Sequence, residues 1–506
     1  MNGSSTIIDY VENSASRFGK KTAFAFEGDA ITFEELRDKA THAASFLVGI
    51  TAPQKPVLIL MEKCVDNVAA FLAATYAGCF YVPVDTKMPY LRVKKIIEIL
   101  SAEIIIARKG DFIHEELFND CKIYYIDELS NYDGDFDEVE RRRSRIVETD
   151  PLYAIFTSGS TGVPKGVLTS HRALTSFIDD MGERFQFTEN DVFANQIPFY
   201  FDASTKDIYL TIKYGCTTHI IPQKLFLMPK LLVEFLNEKK VTCITWVPSL
   251  LCMLANFNVF KKYKPGYLKK VFFVGEVMPT KQYNIWKRNL PDVRYINLYG
   301  STEVTGSSAY YEINRDIEDS ETIPIGNPFG NVDVFLLDEE DKLVTEENKL
   351  GEICVRGAAL SLGYFREPEK TGKVFVQNPL HDNYPERIYR SGDIARYNEY
   401  HEIVYVCRKD FQIKRFGRRI ELGEIEAVLS ALDGINRVCC LFEEKKQNLY
   451  LFYEGRTEQE EIDSEARKIL PSYMIPSVYC RLDSMPLNAN GKIDRVKLKS
   501  MMEKCK

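Results

Sequence analysis

The chain has 506 residues, 45% of them hydrophobic and 27% charged, and a formal net charge of -8. That length exceeds what one compact core organises, so two or more domains are expected, and the acidic balance argues against a general nucleic-acid binder. No stretch approaches the ~18 to 20 apolar residues of a membrane span, and residues 1–5 lack a basic segment followed by an apolar one, so neither export nor membrane insertion is indicated. The twelve cysteines are scattered, without a CxxC or a nearby histidine set; they read as reduced thiols of a cytoplasmic protein.

Residues 22–26 and 31–33 read as a short hairpin around Gly28-Asp29. Thr32 and Glu35 then form a capping box that opens a helix whose apolar face carries Leu36, Ala40, Ala43 and Leu47. A buried strand at 57–60, a helix to Ala77, a stop at Gly78 and a new strand at 80–84 continue an alternation that implies parallel βαβ units. Further apolar strands follow at 104–107, 241–246, 271–274 and 295–298, with helix-length segments between them. From 332 to 355 alternating strands are joined by acidic turns such as Asp338-Glu339-Glu340-Asp341, which predicts an antiparallel subdomain. A smaller unit begins near Asp410 and ends in the loop carrying Asn490-Gly491-Lys492. The expected fold class is α/β, with a large multi-subdomain N-terminal domain over 1–409 and a small α+β C-terminal lid domain over 410–506.

The densest chemistry follows the strand-like Tyr153-Ala154-Ile155-Phe156. The run Thr157-Ser158-Gly159-Ser160-Thr161-Gly162-Val163-Pro164-Lys165-Gly166 places three glycines, four hydroxyls and one lysine in ten residues. Glycine lets backbone N–H groups turn inward, hydroxyls add donors and lysine supplies a cation, a combination suited to phosphate. It is not a Walker A loop, because Lys165 lies between Pro164 and Gly166.

This loop resembles the phosphate-binding signature of the adenylate-forming enzymes, and further segments agree with that family in order over nearly the whole chain. Tyr299-Gly300-Ser301-Thr302-Glu303 resembles the core signature, with Ser301 in place of the usual proline. Tyr389-Arg390-Ser391-Gly392-Asp393 resembles the ribose-binding segment, and Cys407-Arg408-Lys409-Asp410 the hinge, with Cys407 where glycine is usual. Arg418-Arg419-Ile420-Glu421-Leu422-Gly423-Glu424-Ile425-Glu426 continues the pattern, and Asn488-Ala489-Asn490-Gly491-Lys492-Ile493-Asp494-Arg495 is similar to the closing segment of carrier-loading amino-acid adenylation enzymes.

The resemblance implies that a carboxylate attacks the α-phosphate of ATP and expels pyrophosphate, so cations and donors must converge where charge accumulates on oxygen. By resemblance Thr157, Ser158, Gly159, Ser160, Thr161, Gly162, Lys165 and Thr302 would hold phosphate oxygens and Glu303 would bind Mg2+. Tyr299 would lie near adenine and Asp393 would accept from the ribose hydroxyls, with Gly275, Glu276 and Arg408 also at the nucleotide. Lys492 would reach the α-phosphate and the substrate carboxylate, and Lys492, Thr302 and Glu303 form the implied catalytic set. Taken singly, Asp393 reads as a turn cap after Gly392, Glu303 as a solvated loop acid and Lys492 as an exposed lysine in an Asn-Gly turn. The ordered set carries the functional reading.

Asp202, set in Phe199-Tyr200-Phe201-Asp202-Ala203-Ser204, needs a partner if buried, because desolvating a lone carboxylate is costly. The resemblance gives it the ammonium of an amino-acid substrate; Lys206, four residues on, is the alternative. The side-chain pocket, placed by resemblance, would be lined by Asp202, Ala203, Lys206, Thr245, Phe272, Val274, Leu298, Gly306 and Ser307. Its narrow, mostly apolar walls favour a small neutral amino acid such as alanine, with an acidic substrate facing Lys206 as the other possibility. Among family members the chain looks most like free-standing D-alanine:carrier-protein ligases, with Val274 where that type typically has cysteine. The implied second step is transfer to a phosphopantetheine thiol. Eleven residues follow Arg495 and form no Ser-centred carrier motif, so a separate carrier protein is the expected partner. An acyl-CoA synthetase of the same superfamily and a catalytically silent binding homologue are the competing readings.

Overall fold

The computed structural model describes residues 6–111, 118, 121–159, 163–257, 259–409, 412–487, 493–502 and 505. They fall into two compact units. The first comprises Met1–Thr86, Leu100–Ile155 and Gly166–Cys407; the second comprises Lys87–Ile99, Phe156–Lys165 and Arg408–Lys506.

The first unit contains a nine-stranded sheet, ordered Asn327–Pro328, Ala309–Glu312, Arg294–Tyr299, Lys270–Val274, Cys243–Trp246, Val192–Asn195, Thr217–Ile220, Thr22–Phe26 and Asp29–Thr32. Its centre is parallel and its edges antiparallel. The strand expected at 241–246 starts later, as Cys243–Trp246. Thr245 lies opposite Phe272, Phe272 opposite Ile296, and Val274 opposite Leu298. Because side chains alternate along a strand and align across it, Thr245, Phe272, Val274 and Leu298 share one face. The apolar members of that row join a core with Phe185, Phe187 and Phe193, whereas Trp246, Val271 and Phe273 face the opposite core around Trp286.

A seven-stranded sheet runs Gly363–Tyr364, Lys165–Ser170, Pro151–Thr157, Phe80–Val84, Pro56–Leu60, Ile104–Ala107 and Lys122–Tyr125. Phe80–Val84 and Ile104–Ala107 are buried at every residue, as continuous apolar runs in parallel sheets require. The capping box forms: Thr32 N–H donates to Glu35 Oε2 at 2.8 Å and Glu35 N–H to Thr32 Oγ1 at 3.2 Å. The antiparallel subdomain is present as well, with Val332–Leu337 paired to Gly351–Gly357 and that strand to Arg387–Tyr397. Asp338 Oδ1 tightens its acidic turn by accepting from Glu340 and Lys342 N–H, each at 3.0 Å.

In the second unit the hairpin Gln412–Arg415/Arg418–Glu421 leads into the helix Leu422–Ser430, which packs with Leu449, Leu451 and Ile462 of a three-stranded sheet and its helix. The reading of all cysteines as reduced thiols is corrected here. Cys480 and Cys505 are disulfide-bonded, because the chain after the helix Arg495–Met501 brings Cys505 onto the core that holds Cys480; the other ten are free. Among the described residues no helix is long and apolar enough to cross a membrane.

Candidate active site

Asp202 opens a single 3-10 turn, Asp202–Ser204, that runs into the helix Thr205–Tyr214. The turn is fixed by its own hydroxyls: Ser204 Oγ donates to Phe201 O at 2.7 Å and Thr205 Oγ1 to Asp202 O at 2.6 Å. Gly215 ends the helix in the left-handed region at φ 71°, where glycine carries no steric penalty. Burial pushes the Asp202 carboxyl up from its ordinary range and Glu303 adds to this, while Lys206, the Ala203 N–H and the Thr302 hydroxyl favour its charged form. The structure thus brings Asp202, Lys206, Thr302 and Glu303 into one electrostatic environment.

Lys206 has no exposed surface and its Nζ has no hydrogen-bond partner among the described residues. The i,i+4 alternative therefore acts through charge, without a hydrogen bond to Asp202. Asp207, which the sequence reading missed, is fully buried beside it; its Oδ2 accepts from Asn195 Nδ2 at 2.7 Å, and burial pushes its carboxyl up to about 6. Lys63 was missed too. Burial pushes it down to about 7, while Nζ donates to Asn195 O and Gln196 O at 3.3 and 3.2 Å and lies 5.2 Å from the Phe199 ring centroid.

Phe272, Val274 and Leu298 belong to the same core as the half-buried Ala203. Ser307 is buried, and Gly300 approaches it so closely that a Cβ at Gly300 would come within 2.7 Å of Ser307 Cα. Thr305 sits at φ 40° and Gly306 at φ 71°. A β-branched residue at positive φ is a strained backbone of the kind that clusters at functional sites.

The strand Arg294–Tyr299 delivers Tyr299, whose hydroxyl donates to Asp393 Oδ2 at 2.5 Å. The Asp393 N–H donates to Ser391 Oγ at 3.0 Å, and Ser391 Oγ to Ile353 O at 2.7 Å. The two residues placed by resemblance at adenine and ribose are therefore in direct contact. Glu303 is not the solvated loop acid of its bland reading: it is buried, its Oε1 accepts from the Tyr364 hydroxyl at 2.7 Å, and its carbonyl accepts from Ser361 N–H at 2.9 Å. Glu276 Oε2 accepts from Ser249 N–H at 3.0 Å, next to Gly275 at φ 97°. Among the described residues no cluster of three or more His, Cys, Asp or Glu forms a metal site. The buried carboxylate of Glu303 would suit Mg2+, which takes one or two protein carboxylates and fills its shell with water and phosphate.

Within the second unit, Ser158 Oγ donates to Arg419 O at 3.0 Å and accepts from Glu421 N–H at 3.2 Å. Gly159 N–H donates to Glu424 Oε2 at 3.1 Å, and Arg92 Nη1 pairs with Glu424 Oε1 at 2.6 Å. A Cβ on Gly159 would lie 2.1 Å from Val163 O, so the close approach needs glycine. Arg408 ends the strand Ile403–Arg408. Ser160, Thr161, Gly162, Asp410 and Lys492 lie outside the described residues.

Comparison with known proteins shows the family and the fold. The family described as AMP-binding enzyme matches residues 11–365. Zwittermicin A synthase ZmaJ of Bacillus cereus is 30% identical over 506 residues, covering 97% of this chain and 94% of its own. Tyrocidine synthase 1 of Brevibacillus parabrevis is 30% identical over 97% of this chain, which spans 44% of that protein. Holo-PA1221, an NRPS protein containing adenylation and PCP domains, superposes with a TM-score of 0.84 at 23% identity, over 97% of this chain and 84% of its own, a likeness of fold.

Proposed function

Because the chain belongs to the AMP-binding enzymes, an adenylate-forming ligase family, we propose that it activates an amino acid with ATP as the aminoacyl-adenylate and then transfers it to the phosphopantetheine thiol of a carrier protein. The carboxylate oxygen of the amino acid attacks the α-phosphorus, the bond to the bridging oxygen breaks, and pyrophosphate leaves.

One observation carries the substrate class. Asp202 is a carboxylate whose burial pushes it up from its ordinary range, in the same electrostatic environment as Thr302 and Glu303 of the nucleotide motif. In this reading Asp202 binds the substrate ammonium, which offsets its desolvation. Phe272, Val274 and Leu298 limit the side chain to a small neutral one, alanine being the size the sequence favours. Glu303 would hold Mg2+, which neutralises phosphate charge when bound. Tyr299 and Asp393 orient the nucleoside, Thr302 and the loop from Thr157 to Lys165 hold phosphate oxygens, and Lys492 supplies the cation at the α-phosphate.

Exchange of labelled pyrophosphate into ATP, stimulated by amino acids and dependent on Mg2+, tests the proposal. If fatty or aryl acids outperform every amino acid, the acyl-CoA synthetase reading replaces it.

A further inference from the structure

The amino-acid reading leaves one buried group without a role. Lys206, in the first turn of the helix Thr205–Tyr214, has no exposed surface and no hydrogen-bond partner for Nζ among the described residues. An ammonium carries three N–H donors, and leaving them unmade in a buried site is expensive.

Charge and hydrogen bonding make different demands here. Burial disfavours the protonated lysine, and Asp202 and, less strongly, Asp207 oppose that in part; with Asp202 taken by the substrate ammonium, Asp207 is the anion left to Lys206. The donors are not matched. Asp207 Oδ2 is engaged by Asn195 and Lys63 also faces Asp207; Asp207 Oδ1 and Thr245 Oγ1 are themselves buried without a hydrogen-bond partner among the described residues, but neither closes to Lys206 Nζ. Asp202 is the group assigned to the substrate ammonium. The strand register puts Thr245 on the same sheet face as Phe272, Val274 and Leu298, so this polar corner adjoins the apolar walls of the pocket. With Asp202 paired to the substrate ammonium and Asp207 to Lys206, a carboxylate brought here would add an anion that only Lys63, which burial pushes down to about 7, could offset. A neutral oxygen acceptor satisfies the ammonium without upsetting the charge count.

We propose that Lys206 is a specificity-determining residue that selects an amino acid with a short neutral side chain bearing an oxygen acceptor, a hydroxyl or a carboxamide, over apolar and acidic ones. The proposal rests on the amino-acid adenylation reading above.

Pyrophosphate exchange with the full chain, over alanine, serine, asparagine, glutamine, aspartate and glutamate, tests it in wild type, Lys206→Met and Lys206→Gln. At least one of serine, asparagine and glutamine is expected to exceed alanine and both acids in kcat/KM by about tenfold or more, since binding alanine leaves a buried charged donor unmade. Lys206→Met, similar in length, should collapse that ratio, and Lys206→Gln, which keeps a donor, should restore part of it. Should Lys206→Met fail to fold, the wild-type ranking and the Gln variant still decide. Alanine or an acid ranking first in wild type, or an unchanged ratio in Lys206→Met, overturns the proposal while leaving adenylation standing. No exchange with any amino acid sinks the adenylation reading and this proposal together.

Discussion

The Gly159 N–H donates to the Glu424 carboxylate at 3.1 Å, so an amide of the glycine-rich loop holds a protein anion. Arg92 grips the other carboxylate oxygen at 2.6 Å, and both side chains are buried, at 5% and 1% exposure. Removing Arg92 strips Glu424 of a counter-charge in a dry environment, a loss of about 3–5 kcal/mol. Arg92→Met is therefore expected to lower stability by that amount in urea denaturation. Arg92→Met with Glu424→Gln should lose much less than the two single losses added, because the pair is coupled. Additive losses would refute the coupling. Glu424→Gln should also lower KM for ATP, since the Gly159 amide then no longer holds a carboxylate in competition with phosphate.

Tyr299 and Asp393 are joined by a hydrogen bond to a charged acceptor, worth roughly 1.5–3 kcal/mol. Tyr299→Phe removes one donor to Asp393 without changing the fill of the core. A several-fold rise in KM for ATP is expected, with amino-acid KM nearly unchanged, and Asp393→Asn should act in the same direction more strongly. Equal movement of both KM values would show that the pair supports the fold and not the nucleotide.

The sheets were legible in the sequence because parallel strands buried on both faces are bare apolar runs, as at Ile104–Ala107, and the capping box was legible because Thr32 and Glu35 satisfy each other locally. Asp207 and Lys63 were not. Each is a charged residue made tolerable by partners distant in sequence, and no local pattern marks them. The disulfide closes over a separation of 25 residues with no motif at either end. The grouping of the loop Phe156–Lys165 with the C-terminal unit was equally invisible, since Ser158 meets Arg419 across 261 residues.

His171 gives a stability signature. It is buried, Ile7 N–H donates to its Nδ1 at 3.3 Å, and burial pushes it down from 6.5 to about 4. Between those values the unfolded chain binds a proton that the native imidazole refuses. Stability from this residue is therefore present above the unfolded value and lost as pH falls from 6.5 to about 4, by about 3 kcal/mol over the window. His171→Asn keeps an acceptor near the Nδ1 position and does not titrate. Denaturant midpoints measured between pH 7 and pH 4 should fall less steeply in this variant; identical slopes would assign the acid lability elsewhere, for example to His219, which burial also pushes down to about 4.

Asp202 predicts how amino-acid use depends on pH. Only the carboxylate form pairs with an ammonium, and burial raises the pH at which Asp202 protonates. As pH falls, kcat/KM for the amino acid should therefore decline at a higher pH than an ordinary carboxylate would give. Lys206 opposes that rise, so Lys206→Met should move the limb to still higher pH, whereas KM for ATP, measured at saturating amino acid, should not follow it. Asp202→Ala, by leaving a bound ammonium without its counter-charge, should weaken amino-acid binding by about 2–5 kcal/mol. A limb that stays in place when Lys206 is replaced would mean that Asp202 is not the group titrating, and an amino-acid KM unmoved by Asp202→Ala would remove it from the binding site altogether.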